Sequence, residues 1–394
     1  MNDCILVLNC GSSSIKFALF DATLRPLART PIWGGKVEGI GTDHAAVMET
    51  GLAEQSLALG AAQPYHAALV HIRQRVERAL GGRRLAAVAH RVVHGGSKYF
   101  EPVRVDATVL ADLRSYIPLA PLHQPFALEA IEALLSELPD VPQVACFDTA
   151  FHHTLPQVEM MLPLPYAAWE RGLRRYGFHG LSYEYMSIVL PEQHGDAARG
   201  RTIVAHLGSG ASLCAMRGLT SVATTMGFSA LDGLMMGTRC GTLDPGAVLY
   251  LMEVEKLSLA QVGHVLYHES GLLGVSGLSS DPRELLPHEA ENVRVQAALA
   301  LYVRRIVREI GALAAVLGGL DLLVFTAGIG EHNAVLRERI VHALGYLGAE
   351  LDDAANQVHG AIISTPTSRI RVAVEPTNEE WVAARHAAQC VLEP

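Results

Sequence analysis

Cysteine is scarce in this chain: six residues in 394, at 4, 10, 146, 214, 240 and 390, with no C-x-x-C pair. That excludes a disulfide framework or a zinc ribbon and points to free thiols in a reducing compartment. Positive charge is also short. Thirty-one Lys and Arg against 40 Asp and Glu leave a formal charge of −9, which argues against a nucleic-acid partner. The densest basic run, Arg73, Arg75, Arg78, Arg83 and Arg84, reads as the solvated face of a helix ended by Gly81-Gly82. Long apolar runs are missing. The most lipid-like window, 310–330, is broken by Gly318, Gly319 and Asp321, so it reads as a helix end and a buried strand. The first residues lack the basic and apolar regions of a secretory signal. A cytoplasmic protein with no membrane partner is expected. Several catalytic signatures are absent too: no G-x-x-x-x-G-K-[ST], no G-x-S-x-G, and only a broken G-x-G-x-x-G at 328–333, where Asn333 takes the last glycine's place.

Half the residues are hydrophobic and 18% are charged, enough for a substantial core, and the length suggests two or three domains. The most telling stretch is the first. Within Ile5–Asp21 two apolar runs read as strands flanking a cluster of Asn9, Gly11, Ser12, Ser13, Ser14 and Lys16, which reads as the turn of a hairpin with Lys16 beyond it. Such a hairpin offers hydroxyls, backbone N–H groups and a cation to an oxyanion; an ordinary Ser-rich turn has the same composition. The pattern returns at Thr202–Met216, where Gly208-Ser209-Gly210 follows His206. Gly11-Ser12 aligns with Gly208-Ser209 and Asn9 with His206, which a duplicated domain explains.

Between and beyond the hairpins, polar residues collect where strands end. Residues 22–60 are variable, with a Gly-rich patch, and His66–Leu80 reads as a helix. The run 85–93 reads as a buried strand delivering His90, Arg91 and His94. Those histidines lack a neighbouring Glu, and Val92-Val93 disfavours a helix, so a metal pair is not expected. His123 follows in a proline-punctuated loop, before a helix at 126–138. Asp148 stands past the strand 141–147, where α/β sheets bind ligands, although an Asp capping the next turn would look the same. Further on come Arg174-Arg175-Tyr176-Gly177-Phe178-His179-Gly180, then Arg239 between Gly237 and Gly241. Helices are expected at about 246–268 and 289–317, with a Gly/Ser loop over 270–283 between them. A strand at 321–326 should lead through a Gly loop into a helix from about Val335. Glu379-Glu380 follow a short strand at 372–374. Cations and oxyanion donors, with acids and Asn for Mg²⁺, suit phosphoryl transfer. No nucleophile is activated, which fits an acceptor already ionised, such as a small carboxylate.

In family order the chain carries NCGSSSIKF, HRVVHGG, PLHQP, FDTAFH, RYGFHG, HLGSGAS, MGTRCGTLDP, SSDPRE, FTAGIGEHN and PTNEE. With these it resembles, over essentially its whole length, the acetate kinase family within the sugar kinase–Hsp70–actin type fold. The resemblance implies an α/β protein of two duplicated ribonuclease-H-like lobes with mixed sheets around a central cleft. Residues 1–150 would form the N-terminal lobe, with helix 381–394 packed back on it, and 151–380 the C-terminal lobe. It implies reversible phosphoryl transfer from ATP to acetate with Mg²⁺, or Mn²⁺ in its place, in a homodimer joined through the C-terminal lobe. Asn9 and Glu379 match the metal positions, supported by Asp148. Arg91 and Arg239 match the carboxylate- and phosphoryl-holding arginines, and His179, with His123 nearby, the group facing the equatorial oxygens. Val93, Leu122 and Phe178 match the wall around the substrate methyl group. Ser12, Ser14 and Lys16 match the first phosphate hairpin; His206, Gly208, Ser209 and Gly210 match the second. Asp281, Arg283, Gly328, Ile329, Gly330 and His332 match nucleotide positions.

The chain also departs from the family pattern. Ser209 and Ala211 alter the second hairpin, and the Cβ of Ala211 is expected to hinder close approach of a phosphate. Cys240 and Thr242 replace a Ser and an Asp, His332 an Asn, and Ala230 a Pro, while Pro282 is expected to interrupt the adenosine loop. Alternatives therefore stand open at this point: another short acyl acceptor such as propionate, a different donor such as pyrophosphate or another nucleotide, a hydroxyl kinase using Asp148 as base, or a non-catalytic nucleotide-binding protein.

Overall fold

The computed structural model describes residues 3–23, 26–60, 62–121 and 123–392. The chain divides into two compact units, Met1–Ala150 with Asn378–Pro394, and Phe151–Thr377.

In the first unit, β1 (Asp3–Cys10) and β2 (Ser14–Asp21) form an antiparallel hairpin. Three further strands, β3 (Trp33–Glu38), β4 (Ala46–Glu49) and β5 (Gln55–Ser56), continue the sheet beyond β2. On the other side β1 pairs in parallel with β6 (Arg84–Val92), and β6 with β8 (Gln143–Phe147); β7 (Val103–Arg104) closes that edge. Strands β1 and β6 are apolar almost throughout because both their faces are covered. Leu6 and Leu8 pack with Leu69 and Ile72 of helix Pro64–Leu80 and with Leu134 of helix Gln124–Glu137. The last helix, Glu379–Leu392, packs on β1, β6 and β8 and buries Trp381, Val382 and Ala384 among others, the Trp381 indole donating to the Leu27 carbonyl. Each large side chain so buried is worth about 1.5–3 kcal/mol.

The second unit repeats this plan. Strands β9 (Arg201–Leu207) and β10 (Ala211–Arg217) form a hairpin, β11 (Thr220–Thr224) extends it, and β12 (Leu322–Thr326) and β13 (Arg371–Val374) follow in parallel. The order β11-β10-β9-β12-β13 is that of β3-β2-β1-β6-β8. The duplication first visible as a short repeat thus extends to a five-stranded core, to which β4, β5 and β7 are added in the first unit, and the fold is α/β with two mixed sheets. Helix Val293–Leu317 packs on β9, β10 and β11; Asn292 caps its start and left-handed Gly318 its end.

Several expectations need correcting. The stretch 22–60, which showed only a Gly-rich patch, contributes the three short strands β3, β4 and β5: Gly34 and Gly35 sit on β3, where a Cβ on Gly35 would lie 2.2 Å from the Met48 carbonyl. The basic run is not simply solvated, because Arg73 pairs with Glu137, Arg75 with Glu49, and Arg84 lies on β6, paired with Asp3. The expected helix at 246–268 is two, Pro245–Glu253 and Leu259–His268. The Gly/Ser loop contains the short helices Gly271–Ser276 and Pro282–Leu285. Pro282 occupies the first position of the latter, where a missing N–H costs nothing, so it starts a helix instead of interrupting a loop. The Gly loop after β12 is itself a short helix, Ala327–His332, and Asn333 then caps Ala334–Ala343.

Candidate active site

In the first unit, β1, β6 and β8 run in parallel, so their C-terminal ends lie along one edge of the sheet. Asn9, Arg91 and Asp148 stand at those ends. Arg91 Nε donates to Asp148 Oδ1 at 2.9 Å and Nη2 donates to Oδ2 at 2.6 Å, a two-pronged pair, while Nη1 donates to Asn9 Oδ1 at 3.1 Å. The Asp148 side chain is only 2% exposed. Burial opposes the Arg91 charge, but Asp148, Glu379 and Glu380 outweigh it and push its pKa up. Burial and Glu379 raise the Glu380 carboxyl, against the pull of Lys16 and Arg91. Asn9, Arg91, Asp148, Lys16 and Glu379 therefore share one electrostatic neighbourhood. One N–H on Nη1 and one on Nη2 of Arg91 remain to bind an anion.

The hairpin turn is closed by Gly11 N donating to the Ser14 carbonyl at 2.8 Å, with Ser12 and Lys16 exposed. Val93 is buried just past β6, and His123 stands at the start of helix Gln124–Glu137. Leu122 lies outside the described residues. His90 Nε2 bonds Gln143 Oε1 at 2.7 Å, the Gly96 N–H donates to His94 Nδ1, and burial lowers both pKa values to about 4. Among the described residues no group of three His, Cys, Asp or Glu is arranged to hold a metal ion.

In the second unit His179 precedes helix Gly180–His194 in the left-handed region, at φ 59°. That conformation costs a non-glycine residue about 1 kcal/mol or more. It is held by contacts on both sides of the ring. Nδ1 lies 2.8 Å from Ser212 Oγ, which is 2.5 Å from the Tyr183 hydroxyl. The imidazole stacks on that of His206, centroids 4.2 Å apart. His206 Nδ1 lies 2.9 Å from Ser182 Oγ, which accepts from Thr377 Oγ1 at 2.9 Å. Arg239 Nη1 donates to the Ala230 carbonyl at 2.7 Å. Gly210 is crowded by this group: a Cβ there would sit 2.6 Å from Arg239 Nη2 and 3.2 Å from His179 Nε2. The second hairpin thus brings His179, His206, Gly210 and Arg239 together. Its Ser209 carbonyl also accepts from Gly237 N at 3.4 Å, tying the turn to the Arg239 loop.

Phe178 is buried, its carbonyl bonded to His152 Nε2 at 2.9 Å. Arg283 pairs with Asp281 at 2.5 Å, and Asp281 also caps the helix that Pro282 begins. Gly328, Ile329 and Gly330 lie in the short helix after β12, which Glu331 stabilises by accepting from Ala327 N at 2.7 Å; His332 is exposed at its end. Two of the departures here have local reasons. Ala211 is wholly buried on β10, so its Cβ does not stand in the way of a phosphate as expected. The Thr242 hydroxyl donates to Asp232 Oδ1 at 2.8 Å, where an Asp would face a like charge.

The two hairpins differ in one respect that sequence alignment obscures. Cys10 pairs with Ile15 across residues 11–14, whereas Leu207 pairs with Ala211 across the shorter turn 208–210. The counterpart of Lys16 is therefore Ser212, each standing opposite the matched residue, Asn9 or His206. Ser212, Tyr183, Ser182, Thr377 and Glu331 were not singled out from sequence. Ser212 and Thr377 lie in quoted motifs, but nothing in their spacing shows that they hold histidines.

Comparison with known proteins bears on this arrangement. Residues 4–385 match the profile of the Acetokinase family. The chain is 50% identical to an acetate kinase of Rhodopseudomonas palustris over 98% of both chains, and 47% identical to one of Methylocella silvestris over 98% of this chain and 97% of that one. A solved propionate kinase from Francisella tularensis has a TM-score of 0.90 at 33% identity, covering 98% of this chain and 99% of that one. For an acetate kinase of Porphyromonas gingivalis the figures are 0.85 and 36%, over 99% and 100%. The chain belongs to the acetokinase family, and it is an enzyme that transfers a phosphoryl group to a carboxylate.

Proposed function

We propose that this enzyme moves the γ-phosphoryl group of ATP to acetate, reversibly and by direct in-line displacement, giving acetyl phosphate and ADP. The observation that carries the reading is Arg91, anchored by Asp148 and Asn9 with two N–H groups to spare, in a chain that matches the family over 4–385. An acetate oxygen attacks the γ-phosphorus and the bond to the β-phosphate oxygen breaks. No proton moves, because a carboxylate is already ionised at neutral pH. Arg91 orients the acceptor, and Arg239 and His179 take up the charge spread over the equatorial oxygens. Ser12, Ser14 and Lys16, and the His206–Gly210 turn, hold phosphates. Asp281, Arg283, Gly328–Gly330 and His332 take the nucleoside. Val93, Leu122 and Phe178 surround the methyl group.

Asn9 and Glu379 would hold Mg²⁺, or Mn²⁺ in its place. The donor set fits: both offer hard oxygens, and among the described residues Asn9 Oδ1 accepts a single N–H, leaving a lone pair. When bound, the ion neutralises phosphate charge and aligns the leaving group. Hydroxamate trapping of acyl phosphate with acetate, ATP and Mg²⁺ tests the reading; no acyl phosphate from acetate, propionate or butyrate defeats it.

A propionate reading draws support from the Francisella tularensis neighbour and from Ala230 in place of Pro. One methylene changes selection by only ~1–3 kcal/mol, so relative kcat/KM values decide. The case for another donor is weakened by buried Ala211 and by Pro282 at a helix start. Turnover with ATP, GTP and pyrophosphate compared side by side tests it, and a strong ATP preference ends it. The homodimer reading is supported by helix Pro245–Glu253, which buries none of its residues and leaves Leu249 and Tyr250 exposed, followed by exposed Val254 and Leu259. A cytoplasmic location accords with the scarce, unpaired cysteines.

A further inference from the structure

We propose that Ser212 and Tyr183 are positioning residues that fix the tautomer of His179, leaving its proton on Nε2. The inference rests on the role given to His179 above but concerns residues that no motif assigns.

A serine hydroxyl has one proton to give. The Ser212 side chain is wholly buried, and its hydrogen-bond partners are His179 Nδ1 at 2.8 Å and the Tyr183 hydroxyl at 2.5 Å. If the proton goes to Nδ1, His179 is neutral with N–H at Nε2, and Tyr183 donates to Ser212. If it goes to Tyr183, Nδ1 must itself carry a proton and Nε2 is left as an acceptor, unfit to meet a phosphoryl oxygen. The phenol is the more acidic hydroxyl and therefore the better donor of the two. The direction Tyr183 to Ser212 to His179 follows.

The backbone supports the same arrangement. Tyr183 stands one helical turn after His179, and its N–H donates to the His179 carbonyl at 3.1 Å, so both side chains reach one serine on β10. A parallel chain serves the stacked partner: Thr377 Oγ1 donates to Ser182, whose only proton is then directed to His206 Nδ1. Both stacked rings would then be neutral and present N–H at Nε2, which avoids placing two imidazolium charges 4.2 Å apart. The nearby Arg239 adds to that penalty, since a Cβ on Gly210 would touch both it and His179 Nε2.

The experiment is long-range ¹H–¹⁵N spectroscopy of the imidazole rings in the full-length protein at neutral pH, with His179 assigned by loss of its signals in His179→Gln. The wild type is expected to show the Nε2–H form, and Ser212→Ala a mixture or the Nδ1–H form. Wild-type His179 protonated on Nδ1, or a Ser212→Ala spectrum unchanged from wild type, overturns the proposal. In turnover, Ser212→Ala is expected to lower kcat by about 10- to 100-fold with little change in KM, since a misoriented donor is lost where charge develops. Ser212→Thr, which keeps the hydroxyl, should restore most of it, and failure to do so counts against the proposal. If instead His179→Gln turns over like wild type, the catalytic reading of His179 fails while the spectra still decide the tautomer.

Discussion

Replacing Gly210 by Ala would test whether the phosphoryl-handling group depends on close approach. Gly210 does not have a positive φ, so an alanine backbone fits without strain. The added Cβ, however, would lie 2.6 Å from Arg239 Nη2, and ordinary contact begins at 3.4 Å. The guanidinium must therefore retreat by about 0.8 Å, and His179 Nε2, at 3.2 Å, must give slightly. Because the clashing atom is the end of a flexible side chain, stability should change by less than about 1 kcal/mol. Catalysis should not be so tolerant. A displacement near 1 Å at a positioning group costs on the order of 10²-fold, or about 2.7 kcal/mol of barrier. The assay is kcat/KM for acetyl phosphate formation beside thermal unfolding of the same preparations. In an Arg239→Ala background the Gly210 change should cost little more, because the two share one mechanism. A Gly210→Ala enzyme with wild-type kcat/KM, or an additive double variant, would refute the reasoning.

Other outcomes follow from the same geometry. Arg91→Ala and Arg239→Ala should each lower turnover by orders of magnitude, and the former also strands the buried Asp148 carboxylate. Losing Arg91 should destabilise the protein by about 3–5 kcal/mol, and adding Asp148→Asn should recover part of that; an Arg91→Ala protein as stable as wild type contradicts it. Burial lowers the pKa of His90, His94 and His152 to about 4. The unfolded chain then binds more protons than the folded one between roughly pH 6.5 and 4. Their contribution is complete above that window and lost as pH falls through it, at up to ~1.4 kcal/mol per pH unit for each ring. Urea midpoints at pH 7 and 5 measure this, and equal midpoints would disprove it. Tyr250→Asp combined with Leu249→Asp should yield a monomer in sedimentation experiments; a wild type that is already monomeric removes the dimer reading.

The sequence displayed strands far better than short helices. Runs such as 85–93 and 321–326 are apolar on both faces because the sheets are covered on both sides, whereas a strand with one wet face would alternate. Gly271–Ser276 and Ala327–His332, in contrast, have loop composition. Their form depends on distant groups: Leu272 N donates to the Met236 carbonyl, and Glu331 accepts from Thr377 N at 3.2 Å. Strand β3 escaped notice because its glycines permit close packing against Phe17 and Met48, an interaction no local pattern records. Asn9, Arg91 and Asp148 could be picked out as candidates because they stand at strand ends. The hydroxyls that orient His179 and His206 could not, since a buried serine looks the same whether it packs or positions.

The helix Glu379–Leu392 completes the first unit, yet it is made only after the whole of the second. It covers β1, β6 and β8, all of them synthesised by position 150. Between them lie residues 151–377, which take roughly 10–45 s to translate at 5–20 residues per second. Throughout that interval the apolar face destined for Trp381, Val382 and Ala384 has no cover from its own chain. The nascent protein must wait with a core left open, while the second unit has every residue it needs to fold before the ribosome finishes. A chain cut short just before Asn378 should therefore leave a sound second unit attached to a first one that aggregates, and newly made enzyme should lean on ribosome-associated chaperones more than its size suggests.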